Sequence, residues 1–169
     1  MVLLVVALLL LPTAMLPREE FYPVDRVEVE ARDAAFPEDA RRAVIVTRTG
    51  GVSPVKILNV KAFEREGEYG IAHVEYIVVY HTRDYVMAKR TVDFQAFERL
   101  WFELGRDNAM FLTNAPEGPK EKPTYTVRIH EVKIDHSFTV TGPETQADPN
   151  YANAIKAVES FWKENLEIQ

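Results

Sequence analysis

Four histidines are the side chains of this chain best suited to bind a metal ion, and two of them lie in the segment RIHEVKIDHSFTV, residues 128–140. Imidazole nitrogen is a common zinc ligand, so His130 and His136 are candidate ligands. The apolar residues of this segment alternate, which predicts a β-hairpin in which Val127 lies opposite Phe138. This register places the two histidines on opposite faces of the sheet, where they cannot share one metal ion. We therefore predict that this pair is not a metal site.

A second set of possible ligands, His73, Glu75 and His81, lies on one face of a predicted strand. An imidazole and a carboxylate two residues apart can chelate zinc. The strand that follows is predicted to place Arg90 opposite Glu75, and opposite charges across two strands form an ion pair without a metal. We therefore predict an ion pair at this position, and we predict that the protein uses neither a metal nor another cofactor.

Nucleophilic catalysis has few candidates in this sequence. The chain has no cysteine, and its serines, Ser53, Ser137 and Ser160, do not occur in a G-x-S-x-G turn. It contains neither a P-loop nor a G-x-G-x-x-G segment, so no motif predicts nucleotide binding. The net charge is −6 and Lys and Arg are not clustered, which argues against a nucleic-acid partner. The sequence therefore favours a non-catalytic function and leaves an enzyme as the alternative.

The N-terminal segment MVLLVVALLLLPTAML contains no charged side chain, and Arg18 is the first one in the chain. An apolar run of this length that is broken by Pro12 is typical of a secretory signal peptide. A transmembrane helix needs about 20 apolar residues, so a simple span fits less well. We predict an exported protein, periplasmic, extracellular or anchored, in which residues 1–17 are a signal peptide or a membrane anchor and residues 18–169 form one domain.

The pattern of apolar residues in this domain predicts an α+β fold. Strands are predicted at 24–32, 41–49, 70–82 and 84–92, after the Gly50-Gly51 doublet, and as a hairpin at 123–141. The apolar spacing becomes helical at 93–105 and again after Asp148-Pro149, an N-cap followed by proline. We therefore predict an antiparallel sheet of about six strands with two amphipathic helices packed on one face. Trp101 and Trp162 are predicted to be buried where these helices meet the sheet.

The glycine doublet predicts a tight turn between two strands. A two-residue loop at Gly50-Gly51 places Val46 opposite Val55 and Val44 opposite Ile57. Turns held by rigid strands are common recognition sites.

We predict that Thr49, Gly50, Gly51 and Val52 form a binding site for a partner. The alternative interpretation is that the glycines only allow positive φ in a tight hairpin.

Several of these segments resemble emfourin-type proteins, which are small bacterial inhibitors of thermolysin-like metallopeptidases. The matching residues are Thr49-Gly50-Gly51, the 93–105 helix, Tyr125-Thr126-Val127 and residues 136–140. The resemblance implies a bacterial protease inhibitor whose protein partner is a metallopeptidase. It also makes the Gly50-Gly51 turn a candidate contact with that partner.

The leading hypothesis is an exported, non-catalytic protein-binding domain, and protease inhibition is its most specific form. The alternative is a small-ligand-binding or enzymatic envelope protein with a pocket between the sheet and the helices. In either case, contact with a membrane is expected only through the N-terminal segment. Each predicted helix also carries an adjacent aromatic pair that cannot point wholly into the sheet. We expect these pairs to pack between the helices, and the alternative is a partly exposed aromatic that contacts a partner.

Overall fold

A computed structural model of the chain describes residues 22–166. Three helices and six strands occur in the order α1 (Val24–Arg32), β1 (Ala40–Gly50), β2 (Val55–Arg65), β3 (Ile71–Tyr80), β4 (Tyr85–Asp93), α2 (Phe94–Arg106), β5 (Pro123–Glu131), β6 (Ile134–Thr141) and α3 (Pro149–Asn165). The strands form one antiparallel sheet in the order β4-β3-β2-β1-β5-β6, which is the predicted α+β architecture. The predicted signal segment, residues 1–17, lies outside the described residues. Within these residues, no helix is long and apolar enough to span a membrane.

The two predicted helices, α2 and α3, cover one face of the sheet, which we call the helix face. Asp93 caps α2 by accepting a hydrogen bond from the backbone N–H of Gln95, and Asp148 caps α3 in the same way. The helices bury large side chains against the sheet, among them Phe97, Leu100, Tyr151, Ile155, Val158 and Trp162. Each such side chain contributes about 1.5–3 kcal/mol when it is fully buried. This interface is therefore the main core of the domain.

The aromatic residues of these helices differ from the prediction at one position, Trp101. Trp162 is buried as predicted, whereas Trp101 is only partly buried. In α2, Phe102 is 70% exposed, as expected for one member of an adjacent pair. In α3, Phe161 and Trp162 are both buried, as expected for aromatic residues that pack between helices. Helix α3 packs against α2 as well as the sheet, so a wider part of its surface is covered.

Residues 24–32 form helix α1, so the strand predicted there is wrong. Val24, Val27 and Ala31 are three and four positions apart and therefore lie on one stripe of a helix. Val27 and Ala31 are fully buried, whereas Val29, which alternation places beside Val27, is 58% exposed. The helix packs on the other face of the sheet, the second face, where it contacts Ile57, Ile77 and Val79.

The predicted register between β1 and β2 is also wrong. The sequence pattern places Val46 opposite Val55 and Val44 opposite Ile57, but Val46 lies opposite Val60. Ile57 lies on the second face, in contact with α1, rather than beside Val44 on the helix face.

The loop between these strands explains the difference. Strand β1 ends at Gly50 and β2 begins at Val55, so residues 51–54 form the connection instead of a two-residue turn. Gly50 and Gly51 have φ angles of 70° and 76°, a region that glycine occupies without steric cost. Pro54 lies within the loop, where its missing N–H does not interrupt a ladder.

Glu75 lies opposite Lys89 and not, as predicted, opposite Arg90. A shift of one residue moves every side chain of a strand to the other face, and Arg90 accordingly lies opposite Val74. Glu75 still forms a cross-strand ion pair, because its carboxylate oxygens lie 2.9 Å from Lys89 Nζ and 3.6 Å from Lys61 Nζ. Strand β3 is an internal strand of the sheet, and both of its faces carry buried apolar side chains.

The hairpin of β5 and β6 has the predicted register. Val127 lies opposite Phe138, and both are fully buried on the helix face. His130 lies opposite Asp135 on the second face. The turn contains an unusual residue, since Val132 is β-branched and has a φ angle of 55°.

Strand β6 lies at one edge of the sheet, and a loop covers that edge. The backbone N–H of Ala115 donates to the carbonyl of Thr139 at 2.8 Å, and the N–H of Thr139 donates to the side chain of Asn114 at 2.9 Å. The Gln146 amide donates to the Thr141 carbonyl at 3.0 Å. These bonds satisfy groups that an edge strand otherwise exposes to other chains.

Candidate functional site

The predicted binding residues lie together at the tip of the β1–β2 hairpin, which we call the tip. Val52 projects from it and is 99% exposed. Gly51 lies against Pro123 so closely that a Cβ at this position would be 3.1 Å from the proline nitrogen. Gly50 is exposed, and Thr49 is half-buried at the end of β1. The tip therefore presents one apolar side chain on a backbone that is in contact with a neighbouring strand.

The base of the tip is held by two further hydrogen bonds. The Ser53 hydroxyl accepts a bond from the backbone N–H of Val55 at 3.2 Å. The Pro54 carbonyl accepts a bond from the N–H of His81 at 3.1 Å. A loop fixed in this way loses little conformational entropy when it binds a partner.

Thr49 also belongs to a surface of six threonines, which we call the threonine face. The neighbouring strands β1, β5 and β6 place Thr49, Thr124 and Thr141 in one row and Thr47, Thr126 and Thr139 in the next. All six side chains are half-buried on the second face. The hydroxyls on β5 and β6 form pairs, with Oγ1 distances of 2.8 Å between Thr124 and Thr141 and 3.2 Å between Thr126 and Thr139.

Apolar alternation alone does not reveal the threonine face. The available signal is a Thr-x-Thr spacing, which occurs at 47–49, 124–126 and 139–141. Residues at positions i and i+2 of a strand share a face, so each segment supplies a pair of hydroxyls. The three pairs form one surface because β1 lies beside β5, a pairing between distant segments. Threonine is stiff at χ1, so this surface is rigid and carries both methyl and hydroxyl groups.

The imidazoles of His130 and His136 each form a hydrogen bond within this domain. His130 Nδ1 lies 2.6 Å from the Asp135 carboxylate, and His136 Nε2 donates to the Leu112 carbonyl at 2.7 Å. Their predicted placement on opposite faces is confirmed by the strand register.

The second set of possible ligands does not converge either. His73 Nε2 lies 2.5 Å from the Glu68 carboxylate, Glu75 contacts the two lysines, and His81 follows the end of β3. Between residues 22 and 166, no three His, Asp or Glu side chains are grouped as metal ligands are.

The buried carboxylate of Glu64 is neutralised by arginines. Arg42 lies 2.7 Å and Arg41 3.5 Å from its oxygens, and Arg42 also contacts Glu98. Burial acts to lower the pKa of Arg42, but hydrogen bonds to Glu98 and Glu64 outweigh this effect and leave that pKa raised. A buried carboxylate that is paired with two arginines forms a structural ion pair, and we do not consider Glu64 a candidate general base.

Tyr125 lies on the helix face of β5 and donates its hydroxyl to Glu159 of α3. Burial raises the pKa of the Tyr125 phenol well above its ordinary value, and the bond to the Glu159 carboxylate raises it further. The phenol therefore stays protonated at neutral pH, and it connects α3 to the strand beside the tip.

A groove of about 630 Å³ lies on the second face, between the sheet and the segment that links α1 to β1. Its floor includes Lys61, Glu75 and Lys89, which lie side by side on β2, β3 and β4. The alternative hypothesis places a pocket between the sheet and the two predicted helices, but core side chains fill that interface. The groove is on the opposite face, under the segment that follows helix α1.

Comparison with known proteins does not identify a family. No protein-family model matches the chain, and no curated protein matches it. The resemblance to emfourin-type inhibitors therefore stays a prediction based on the matching motifs.

Proposed function

We propose that this chain is an exported, non-catalytic binding protein that contacts a protein partner with the tip and the adjoining threonine face. The observation that carries the proposal is Val52, an apolar side chain that is 99% exposed at the end of a fixed loop. Loops positioned by a rigid scaffold commonly carry binding residues. Burial of an exposed valine in a partner contributes about 1.5–3 kcal/mol, which is enough to make it an anchor.

The threonine face supplies the surroundings of this anchor. Its hydroxyls can donate and accept hydrogen bonds, and its methyl groups add apolar contact area. Interfaces commonly combine a central apolar anchor with a polar rim that excludes water from it. Because Thr49 belongs to both the tip and the threonine face, the two surfaces form one continuous patch.

Protease inhibition is the most specific form of this proposal. It rests on the resemblance of Thr49-Gly50-Gly51 and the other matching segments to emfourin-type inhibitors of thermolysin-like metallopeptidases. The test adds residues 18–169 to a thermolysin-like protease and measures residual peptidase activity. Inhibition at micromolar concentration supports this form, and full activity at that concentration removes it.

The broader proposal is tested by capturing partners from an envelope extract with the wild-type protein and with Val52→Asp. A charge at an anchor position is expected to abolish capture, because a buried unpaired carboxylate is strongly unfavourable. Ile134→Asp is the matched control, since Ile134 is 62% exposed at the opposite end of the sheet. If Val52→Asp captures the same partner as well as the control does, the interface lies elsewhere.

Export is the third part of the proposal, and it rests on the uncharged apolar run before Arg18. Fusion of residues 1–17 to an export-dependent reporter enzyme tests it. Reporter activity together with a shortened mature chain indicates a cleaved signal, and reporter activity with an intact chain indicates an anchor. A fusion that stays inactive contradicts export.

A further inference from the structure

The groove on the second face has a floor whose charge is not balanced. Two lysines, Lys61 and Lys89, flank one carboxylate, Glu75, so the row carries one excess positive charge. The side chain of Lys61 is only 17% exposed, whereas that of Lys89 is 79% exposed. The positive charge that lies deepest in the groove is therefore that of Lys61.

Lys61 also retains hydrogen-bonding capacity. Its Nζ lies 3.6 Å from the Glu75 carboxylate, which is longer than a hydrogen bond, whereas Lys89 Nζ lies at 2.9 Å. A lysine ammonium has three N–H donors. Lys89 is thus the closer partner of Glu75, and Lys61 has donors available for an acceptor that enters the groove.

The other charged residues of the groove are paired or lie at its exposed rim. Arg65 lies 3.2 Å from Asp39, so its charge already has a partner. The acidic residues Glu30, Asp33 and Glu38 also line the groove, but they are exposed, and water and salt screen exposed charges. Lys89 is exposed as well, so the least screened positive charge in the groove is that of Lys61.

The walls beside this floor are apolar. Ile77 and Met87 adjoin the lysine row on one side, and Phe63 and Phe36 adjoin it on the other. A volume of about 630 Å³ is in the range of sites that hold small molecules. A ligand that fits has one anionic group at the floor and an apolar body along the walls.

We propose that the groove binds an amphipathic monocarboxylate, with the carboxylate at Lys61 and the hydrocarbon chain against Ile77, Met87 and Phe36. This site is distinct from the proposed protein-binding surface, since the tip and the threonine face contribute none of these residues. Burial acts to raise the pKa of the Glu75 carboxyl, but the hydrogen bond from Lys89 and the charge of Lys61 outweigh it and hold that pKa below its ordinary value. Glu75 therefore stays ionised and remains paired with Lys89, so the carboxylate of the ligand binds beside it at Lys61.

The test titrates the full chain with decanoate, decylammonium and 1-decanol, each well below its micelle-forming concentration. Binding is followed by calorimetry and by NMR of methionine methyl groups. Met87 lines the groove, and Met110 packs against the core of the helix face, so the two methyl signals separate groove binding from binding elsewhere. Decanoate is expected to bind most tightly and to shift the Met87 signal while leaving that of Met110 in place.

Two variants locate the carboxylate. Lys61→Met is expected to weaken decanoate binding at least about tenfold, the effect of losing one charge-assisted hydrogen bond. Lys56→Met is the matched control, because Lys56 is also on β2 but pairs with Glu28 and does not line the groove. If Lys61→Met does not fold, Ala35→Trp provides the test, since it fills the groove from an exposed position on its wall.

Several results overturn the proposal. The first is an absence of decanoate binding, and the second is that decylammonium binds more tightly than decanoate or 1-decanol binds as tightly. The third is an equal loss of decanoate affinity in Lys61→Met and Lys56→Met. A shift of the Met110 signal without a shift of Met87 also overturns it. None of these results bears on the tip, because the tip contributes no residue to the groove.

Discussion

Gly118 lies in the loop that covers β6, and its replacement by alanine is expected to loosen that loop. A Cβ at this position would lie 2.2 Å from the carbonyl oxygen of Thr141 and 2.9 Å from its carbonyl carbon. Carbon and oxygen atoms in contact are usually about 3.3–3.6 Å apart. Both close atoms belong to the backbone of a strand, so the loop has to withdraw by about 1 Å to reach such a distance.

The cost follows from the hydrogen bonds that join the loop to the strand. Ala115 and Asn114 bond to Thr139 at 2.8 and 2.9 Å, and Gln146 bonds to Thr141 at 3.0 Å. If the loop withdraws by about 1 Å, the two hydrogen bonds to Thr139 become longer than hydrogen-bonding distance. Each such bond contributes about 0.5–1.5 kcal/mol to stability. We therefore expect Gly118→Ala to lower the free energy of unfolding by about 1–3 kcal/mol, which corresponds to a lower Tm by about 2–10 °C.

Chemical denaturation followed by circular dichroism measures this difference. Gly105→Ala is the matched control, because Gly105 is exposed in α2 and a Cβ there would meet no atom within 4 Å. In a helix the change from glycine to alanine is expected to stabilise by about 0.5–1 kcal/mol. The two substitutions should thus have opposite signs. If Gly118→Ala is as stable as wild type, the loop does not lie against β6 as described.

Three further predictions concern the core, a turn and an ion pair. Trp162→Ala is expected to destabilise the domain by about 3–5 kcal/mol in denaturant titrations. The control Phe102→Ala, at a position that is 70% exposed, should change stability by less than about 0.5 kcal/mol. Equal effects of the two substitutions would show that α3 is not docked against the sheet. Val132→Gly is expected to raise stability by about 1 kcal/mol, because a β-branched residue at a φ of 55° is strained, and a lower Tm would contradict that strain. The pKa of Glu75 is depressed in the folded state, so its contribution to stability is present at neutral pH and is lost as the pH falls through the folded pKa, below 4.5. The stability difference between wild type and Glu75→Gln should therefore shrink in unfolding titrations below that pH, and a difference that grows there would contradict the assigned direction.

The parts of the fold that follow from short-range patterns are the ones that the sequence predicts well. Helix α3 has its N-cap at the predicted Asp148, and α2 begins next to Asp93, the first residue of the predicted 93–105 helix. The register of β5 and β6 is specified because Val127 and Phe138 match in only one alignment of the apolar residues. Local chemistry therefore determines these elements.

The errors arise where two patterns fit the same residues. In residues 24–32, apolar positions satisfy both alternation and a helical stripe, and packing on a sheet face that was already apolar selects the helix. The β3–β4 turn differs by one residue from prediction because Arg83 adopts a φ of 69°, which the residue types do not signal. A single residue in such a turn decides which face Arg90 occupies.

The candidate sites show the same division. The tip is visible in the sequence, since a glycine doublet between strands predicts an exposed turn. The threonine face and the groove are not, because each joins segments that are distant in the chain. The groove depends on the row Lys61, Glu75 and Lys89, which requires the registers of two strand pairs to be known together.

The central position of β1 constrains the time at which this chain can fold. Its second neighbour is β5, and the register pairs Arg42 with Glu131 and Gly50 with Pro123, so half of its hydrogen bonds wait for a segment made much later. Helix α3 follows later still and covers an apolar face already present on β1 to β3. Pairing between distant segments is slow, because loop-closure entropy is lost before the contacts form. During synthesis the sheet therefore cannot be completed until β5 and β6 have been made, even though β1 to β4 are already present.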